Sequence, residues 1–130
     1  MANAFYPKVK AKFRKGEIDL IGDTIIVIGI DAGLYTPSSS HEFVSDIPSG
    51  ARVDTDVLTG KTVDAATGAF DSDDPTLSNP LAATVSWLAL AKSTGNVATS
   101  PLIILYDTVT DFPTTDPTIG ITVAAGGWFE

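Results

Sequence analysis

Residues 24–30 read Thr-Ile-Ile-Val-Ile-Gly-Ile, and this stretch decides the fold class. Six of its seven residues have β-branched side chains, which favour strands because they pack well on a pleated surface. The apolar run at residues 25–30 lies between Asp23 and Asp31. It is far shorter than the roughly twenty residues that a membrane helix requires. We therefore expect a buried β-strand in a soluble protein, with no membrane segment.

Further short strands are predicted along the chain. The segment 51–78 alternates apolar and polar residues, which is typical of strands that bury one face. Short strands with closely spaced turns predict a mainly β fold, a single antiparallel β-sandwich or barrel-like domain over residues 1–130. The other predicted strands are 85–91, 102–106 and 119–123, with turns at 22–23, 59–60, 67–68 and 92–96 and a loop at 111–117.

A short N-terminal helix is predicted near residues 4–15. Phe5, Val9 and Phe13 recur at steps of four and would form one apolar stripe on such a helix. Gly16 is well suited to end it, because glycine adopts the left-handed conformation that helix ends favour.

One further short helix is predicted near residues 40–47. Ser39 and Glu42 fit a capping box, in which a serine is followed three residues later by a glutamate. Pro48 would stop the helix after one or two turns.

Charge is distributed unevenly between the two ends of the chain. Residues 1–15, the N-terminal arm, carry a net charge of +5, and residues 16–130, the β-rich body, carry −13, which makes −8 in all. The negative total argues against nucleic-acid binding. Two interpretations of the arm stay open: a helix that covers the core with solvated lysines, or an electrostatic contact with an acidic partner surface. On the second interpretation the candidate partner-binding residues are Phe5, Lys8, Lys10, Lys12, Phe13 and Arg14.

No motif in the sequence specifies catalysis. The chain has no cysteine, and His41 is its only histidine, so neither a thiolate site nor a multi-histidine zinc site is expected.

Asp54 and Asp56 share a strand face but are more typical of a solvated edge than of a catalytic pair. The sequence Gly60-Lys61-Thr62 lacks the first glycine of a phosphate loop and is expected to be a hairpin turn. Asp71-Ser72-Asp73-Asp74 lacks the glycine and glutamate of an EF-hand, so a solvated acidic turn is favoured over an irregular calcium site. We predict a protein that is not an enzyme and needs no cofactor or metal.

Several strings in the sequence resemble a small virion structural protein of tailed bacteriophages. The resemblance covers most of residues 5–75 and is looser afterwards, and its strings are turn and strand sequences without catalytic motifs. They are Phe5-Tyr6-Pro7-Lys8, Gly16-Glu17-Ile18-Asp19-Leu20, Asp23-Thr24-Ile25, His41-Glu42-Phe43, Ser45-Asp46-Ile47-Pro48, Gly50-Ala51-Arg52-Val53, Leu58-Thr59-Gly60-Lys61-Thr62-Val63 and Phe70-Asp71-Ser72-Asp73-Asp74.

The resemblance implies a capsid decoration (cement) protein or another accessory virion protein. The expected partners are the major capsid protein or other virion proteins, and the expected location is the virion, assembled in the host cytoplasm. By analogy a homo-oligomer is expected, most simply a trimer. Two alternatives stay open: a tail or head–tail junction component, and a receptor- or carbohydrate-binding module of a fibre. For the second, Trp87 and Trp128 would offer stacking surfaces, although Trp87 lies in an apolar run and is expected in the core.

Overall fold

The fold is mainly β, as the sequence predicts. The structure is a computed structural model, and it describes residues 4–77, 85–106, 119–120 (backbone only) and 127–129. One α-helix, α1 (Val9–Arg14), and two short 3-10 helices, Ala32–Leu34 and Val44–Asp46, accompany the strands in these residues. The strands are β1 (Ala4–Phe5), β2 (Ile25–Ile30), β3 (Arg52–Val57), β4 (Thr62–Val63), β5 (Phe70–Asp71), β6 (Thr76–Leu77), β7 (Trp87–Lys92), β8 (Leu102–Tyr106) and β9 (Ile119–Gly120).

Five of these strands form a central antiparallel sheet in the order β1-β8-β7-β2-β3. The run at residues 25–30 is an inner strand of this sheet: Ile28 pairs with Ala89 of β7 on one side and with Thr55 of β3 on the other. Two smaller antiparallel pairs, β4–β5 and β6–β9, lie outside the central sheet. β7 begins and ends slightly later than predicted, and the described part of the predicted strand 119–123 is β9. Residues 121–123 and the loop 111–117 lie outside the described residues.

Both faces of the central sheet are buried. Successive side chains of a strand point to opposite faces, and in β2 they enter two separate clusters: Val27 joins one and Ile28 the other. This explains why residues 25–30 are apolar without alternation. We name the clusters by what covers them. The helix-side cluster includes Val9, Ile25, Val27, Phe70, Leu77, Val85, Leu88 and Leu90, and the loop-side cluster includes Tyr6, Ile28, Ile30, Tyr35, Val44, Ile47, Ala89 and Leu105.

A second layer of strands packs on the helix-side face. Phe70 of β5 and Leu77 of β6 are fully buried there beside Val9 of α1. Gly29 makes this packing close, since a Cβ at its position would lie 2.7 Å from Leu77 Cδ1 and 3.2 Å from Val85 Cγ1. The arrangement is sandwich-like, and the described strands form no closed barrel.

The N-terminal helix is shorter than predicted. Ala4 and Phe5 form β1 and pair with Leu105 and Ile104 of β8, and the helix begins only at Val9. The reason is Pro7, which disfavours helical conformation in the residue before it and has no N–H to continue a ladder. The Tyr6 amide still donates to Ile103 O at 2.9 Å, as the last bond of this pairing.

The end of α1 is confirmed at Gly16, which has φ +72°. Its amide donates to Phe13 O at 3.1 Å, and the Glu17 amide donates to Lys12 O at 2.9 Å. These two bonds form a Schellman motif, the common way in which glycine ends a helix.

The helix predicted near residues 40–47 is reduced to the single 3-10 turn Val44–Asp46. Ser39 and Glu42 do not form the predicted capping box. Instead the Asp46 carboxylate reaches back and accepts from the amides of Glu42 at 2.7 Å and Phe43 at 3.0 Å. The helix ends after this turn because Ile47, which precedes Pro48, is extended, so Pro48 stops the helix as predicted.

Candidate protein-interaction surface

The N-terminal arm presents its cations to solvent while its apolar side chains cover the chain's own core. Val9 is 1% exposed and belongs to the helix-side cluster, and the half-buried Phe5 and Phe13 pack against it. The predicted apolar stripe therefore covers the core, although Phe5 reaches it from a strand. The exposed cations of the arm are Lys8, Lys10, Arg14 and Lys15.

Lys12 differs from the other arm cations because it folds back onto the body. Its ammonium lies 5.3 Å from the centre of the Phe43 ring and 3.9 Å from Glu42 Oε1. A cation above an aromatic face is attracted by the ring's quadrupole. Lys12 thus helps to seat the helix, and of the predicted cationic site residues Lys8, Lys10 and Arg14 remain exposed.

The three bases of the body are all engaged by the chain's own backbone. Arg52 Nε donates to Ile47 O at 3.0 Å. Lys61 Nζ donates to the carbonyl of Asp23, and Lys92 Nζ donates to Glu17 O at 2.8 Å. The cations that face solvent in the described residues are consequently concentrated on the arm.

Lys92 also forms an ion pair that helps to hold the turn after α1. Its Nζ lies 3.1 Å from Asp23 Oδ2, and the same oxygen accepts from the Asp19 amide at 2.8 Å. The pKa of Asp23 lies below its usual value, mainly because its carboxylate accepts from the Asp19 amide and to a lesser extent because of the ion pair with Lys92. The predicted turn at residues 22–23 is confirmed, with the Asp23 amide bonded to Asp19 O at 2.8 Å.

An apolar recess lies beside α1, where the two ends of the described chain meet. Phe5, Phe13, Leu20 and Phe129 line it, and Lys10 stands at its rim. The recess is open to solvent and has a volume of about 330 Å³. The sequence prediction included three of these five residues. It missed Leu20 and Phe129 because only the fold brings the end of the chain next to Phe5, with the two rings 4.9 Å apart and edge to face.

A chain of hydrogen bonds connects the base of the arm to His41. Tyr6 Oη lies 2.9 Å from Tyr35 Oη, which lies 2.8 Å from His41 Nδ1. Burial raises the pKa of Tyr6 and of Tyr35, so both hydroxyls stay protonated. A helix near residues 40–47, as predicted from the sequence, would place His41 in its first turn. That placement is wrong, because the 3-10 helix begins at Val44.

The acidic segment 71–74 is not the turn predicted for it: Asp71 is the last residue of β5, and the residues that follow have an irregular conformation. Asp73 Oδ2 accepts from Thr59 Oγ1 at 3.4 Å, and Asp71 Oδ1 accepts from the Ser72 amide at 2.8 Å. Within the part of the chain that the structure describes, no three acidic, histidine or cysteine side chains are grouped to hold a metal ion. On β3, Asp56 Oδ2 accepts from the Thr76 amide at 3.0 Å and joins the two layers.

The Gly60-Lys61-Thr62 segment is a turn, but not the predicted hairpin. Gly60 has φ +61°, as a turn requires. The strands on either side of it, β3 and β4, pair with β2 and β5 and not with each other.

Both tryptophans are half-buried and engaged within the fold. The Trp87 ring meets Tyr35 edge to face at 6.5 Å and packs against the loop-side cluster. Trp128 Nε1 donates to Ser72 Oγ at 2.8 Å, and its ring lies 5.9 Å from that of Tyr106. These contacts give no particular support to the stacking surface considered for a sugar-binding module.

Comparisons of the chain with protein-family models, curated proteins and solved structures found no match. None of the helices in the described residues has the length and hydropathy needed to cross a bilayer.

Proposed function

We propose that this chain is a non-enzymatic structural protein of a tailed-phage virion, a capsid decoration protein that attaches to the outer shell through its N-terminal arm. The resemblance of residues 5–75 to small virion structural proteins of tailed bacteriophages supports the virion role. The observation that carries the adhesive role is the position of the cations: Lys8, Lys10, Arg14 and Lys15 face solvent, whereas the bases of the body hold its own carbonyls.

This arrangement suits attachment to an acidic protein surface. The body alone carries −13 and would be repelled by a partner of the same sign, whereas the arm carries +5. An exposed ion pair contributes only about 0–1 kcal/mol, so the cations would mainly set the rate and orientation of attachment. The proposal includes a homo-oligomer, a trimer in the simplest case, since closed symmetric contacts are the default for homo-oligomers.

Copy number in purified virions tests the role. Quantitative mass spectrometry of particles whose genome encodes the chain should find hundreds of copies for a shell protein. A few dozen copies or fewer would favour a tail, junction or fibre component instead. Absence of the chain from washed particles would overturn the virion role altogether.

Rebinding to particles that lack the protein tests the arm. Reversing the exposed charges in a Lys8→Glu, Lys10→Glu, Arg14→Glu variant should slow attachment and weaken binding at low salt. Added salt should weaken wild-type binding and reduce the difference between the two proteins, because it screens attraction and repulsion alike. Wild-type binding by the variant at low salt would show that the arm only covers the core.

A further inference from the structure

The recess beside α1 is an apolar surface that the described residues leave open. Its walls are the half-buried side chains of Phe5, Phe13, Leu20 and Phe129. The Phe129 ring is held in place from two sides, by Phe5 at 4.9 Å and by the buried Phe70 at 5.5 Å. The recess therefore has preformed aromatic walls, as a ligand-binding concavity usually does.

Its size suits one large apolar side chain. A closed cavity of about 150 Å³ in another protein already holds a benzene molecule. The recess measures about 330 Å³ and is open to solvent, so it has room for the side chain of a phenylalanine or a leucine.

The arm places positive charge beside the recess. Lys10 stands at the rim, and Arg14 is exposed one helical turn further along α1. Residues 1–15 contain no acid. In sequence, two acids adjoin lining residues: Asp19 precedes Leu20, and Glu130 follows Phe129. The Asp19 carboxylate accepts from the Ile21 amide at 3.0 Å.

We propose that this recess binds a partner segment in which an apolar side chain is flanked by carboxylates. The apolar side chain fills the space between Phe5, Phe13, Leu20 and Phe129. The carboxylates face Lys10 and Arg14. The inference rests on the proposed adhesive function of the arm and gives the chemistry of the contact. Apolar burial supplies the affinity, and the cations select the acidic flanks and fix the direction of the segment.

A peptide titration followed by NMR tests the proposal without particles. The probe is a blocked pentapeptide with one phenylalanine between two pairs of glutamates, added to the full-length, isotope-labelled protein at low salt. Signals of the recess residues should shift in a saturable way. A peptide with alanine in place of the phenylalanine, and one with lysines in place of the glutamates, should each bind about tenfold more weakly or not at all.

Matched variants locate the site. Lys10→Glu should weaken binding of the acidic peptide about tenfold, whereas Lys15→Glu, the same charge change at an exposed residue outside the lining, should weaken it only about twofold. Leu20→Ala should weaken binding several-fold, and Ile21→Ala, next to it and outside the lining, should leave it unchanged. Thermal unfolding of each variant confirms that it is folded.

Three results would overturn the proposal. The first is no saturable shift up to the solubility limit of the peptide, and the second is shifts confined to other surfaces. The third is concentration-dependent self-association that Lys10→Glu abolishes, which would make a second copy of the chain the occupant of the recess. Since none of these measurements involves virions, peptide binding and the virion role can fail independently.

Discussion

The hydroxyl of Tyr6 lies 2.9 Å from that of Tyr35, and the two residues come from the arm, which precedes β2 in sequence, and from the loop that follows β2. Tyr6 is completely buried, so its hydroxyl depends on this partner. Tyr35 has a second partner, His41 Nδ1 at 2.8 Å. When Nδ1 of His41 is unprotonated, Tyr35 donates to it and Tyr6 donates to Tyr35. Both tyrosine hydroxyls then have an acceptor for their proton.

Tyr35→Phe should therefore destabilise the fold more than Tyr6→Phe does. Removing the central hydroxyl leaves the buried hydroxyl of Tyr6 without its partner, which costs about 1–3 kcal/mol. Removing the hydroxyl of Tyr6 leaves Tyr35 bonded to His41, and the loss should be smaller. Urea unfolding of both variants measures the difference, and equal losses would contradict this account of the chain of bonds.

Gly29→Ala should destabilise the protein by about 1–3 kcal/mol, the usual range for overpacking a core. The new methyl would meet Leu77 Cδ1 at 2.7 Å and Val85 Cγ1 at 3.2 Å, between the two layers. Gly50→Ala is the matched control, because nothing lies within 4 Å of a Cβ there, and it should be nearly neutral. Thermal unfolding compares the two. In a Leu77→Ala background, where Cδ1 is absent, Gly29→Ala should cost less than it does in the wild type. An equal cost in both backgrounds would show that the layers do not meet at Gly29.

Asp46→Asn should lower stability near neutral pH, and the loss should disappear in acid. The pKa of Asp46 lies below its usual 3.8, mainly because its carboxylate accepts hydrogen bonds from the amides of Glu42 and Phe43. The positive charges of His41 and Lys8 lower it further. The folded state thus favours the carboxylate, and the contribution is present above about pH 4 and is lost as the pH falls through the folded pKa. Unfolding of wild type and variant between pH 7 and pH 3 measures this, and a difference that does not change with pH would contradict it.

Lys92→Met should loosen the turn between α1 and β2 with a small effect on the whole fold. The change removes the 3.1 Å ion pair with Asp23 and the 2.8 Å bond to Glu17 O but keeps the aliphatic stem. Because the groups are partly exposed, a loss of about 1 kcal/mol is expected. Hydrogen exchange should be faster at the amides of Asp19 and Asp23, and unchanged protection there would show that the backbone holds the turn alone.

The sequence predicted those parts of the fold that depend on local pattern. The β-branched run at residues 25–30, the glycine that ends α1 and the turn at 22–23 are local signals, and they are confirmed. The N-terminal helix was overextended because the apolar steps of four suggested a helix through Phe5, although Tyr6-Pro7 favours an extended conformation.

The recess could be predicted only in part for a different reason. Phe5 and Phe13 belong to a periodic stripe that is visible in the sequence, whereas Phe129 becomes a neighbour only through folding, more than a hundred positions along the chain. The bond from Tyr6 to Tyr35 is equally invisible in the sequence, since it forms only because the fold brings both residues to the same face of the central sheet.

The pairing of Ala4 with Leu105 has a consequence for synthesis. The arm leaves the ribosome before the strand that receives it, because β8 is made about a hundred residues later. Contacts between residues so distant in sequence form late, because a long loop must close before they can repay its entropy. During translation Val9 and Phe13 therefore have no core of their own to cover. Until β8 emerges, the nascent chain exposes this cationic, apolar arm, and the folding step that completes the central sheet also removes the arm's apolar side chains from contact with other proteins.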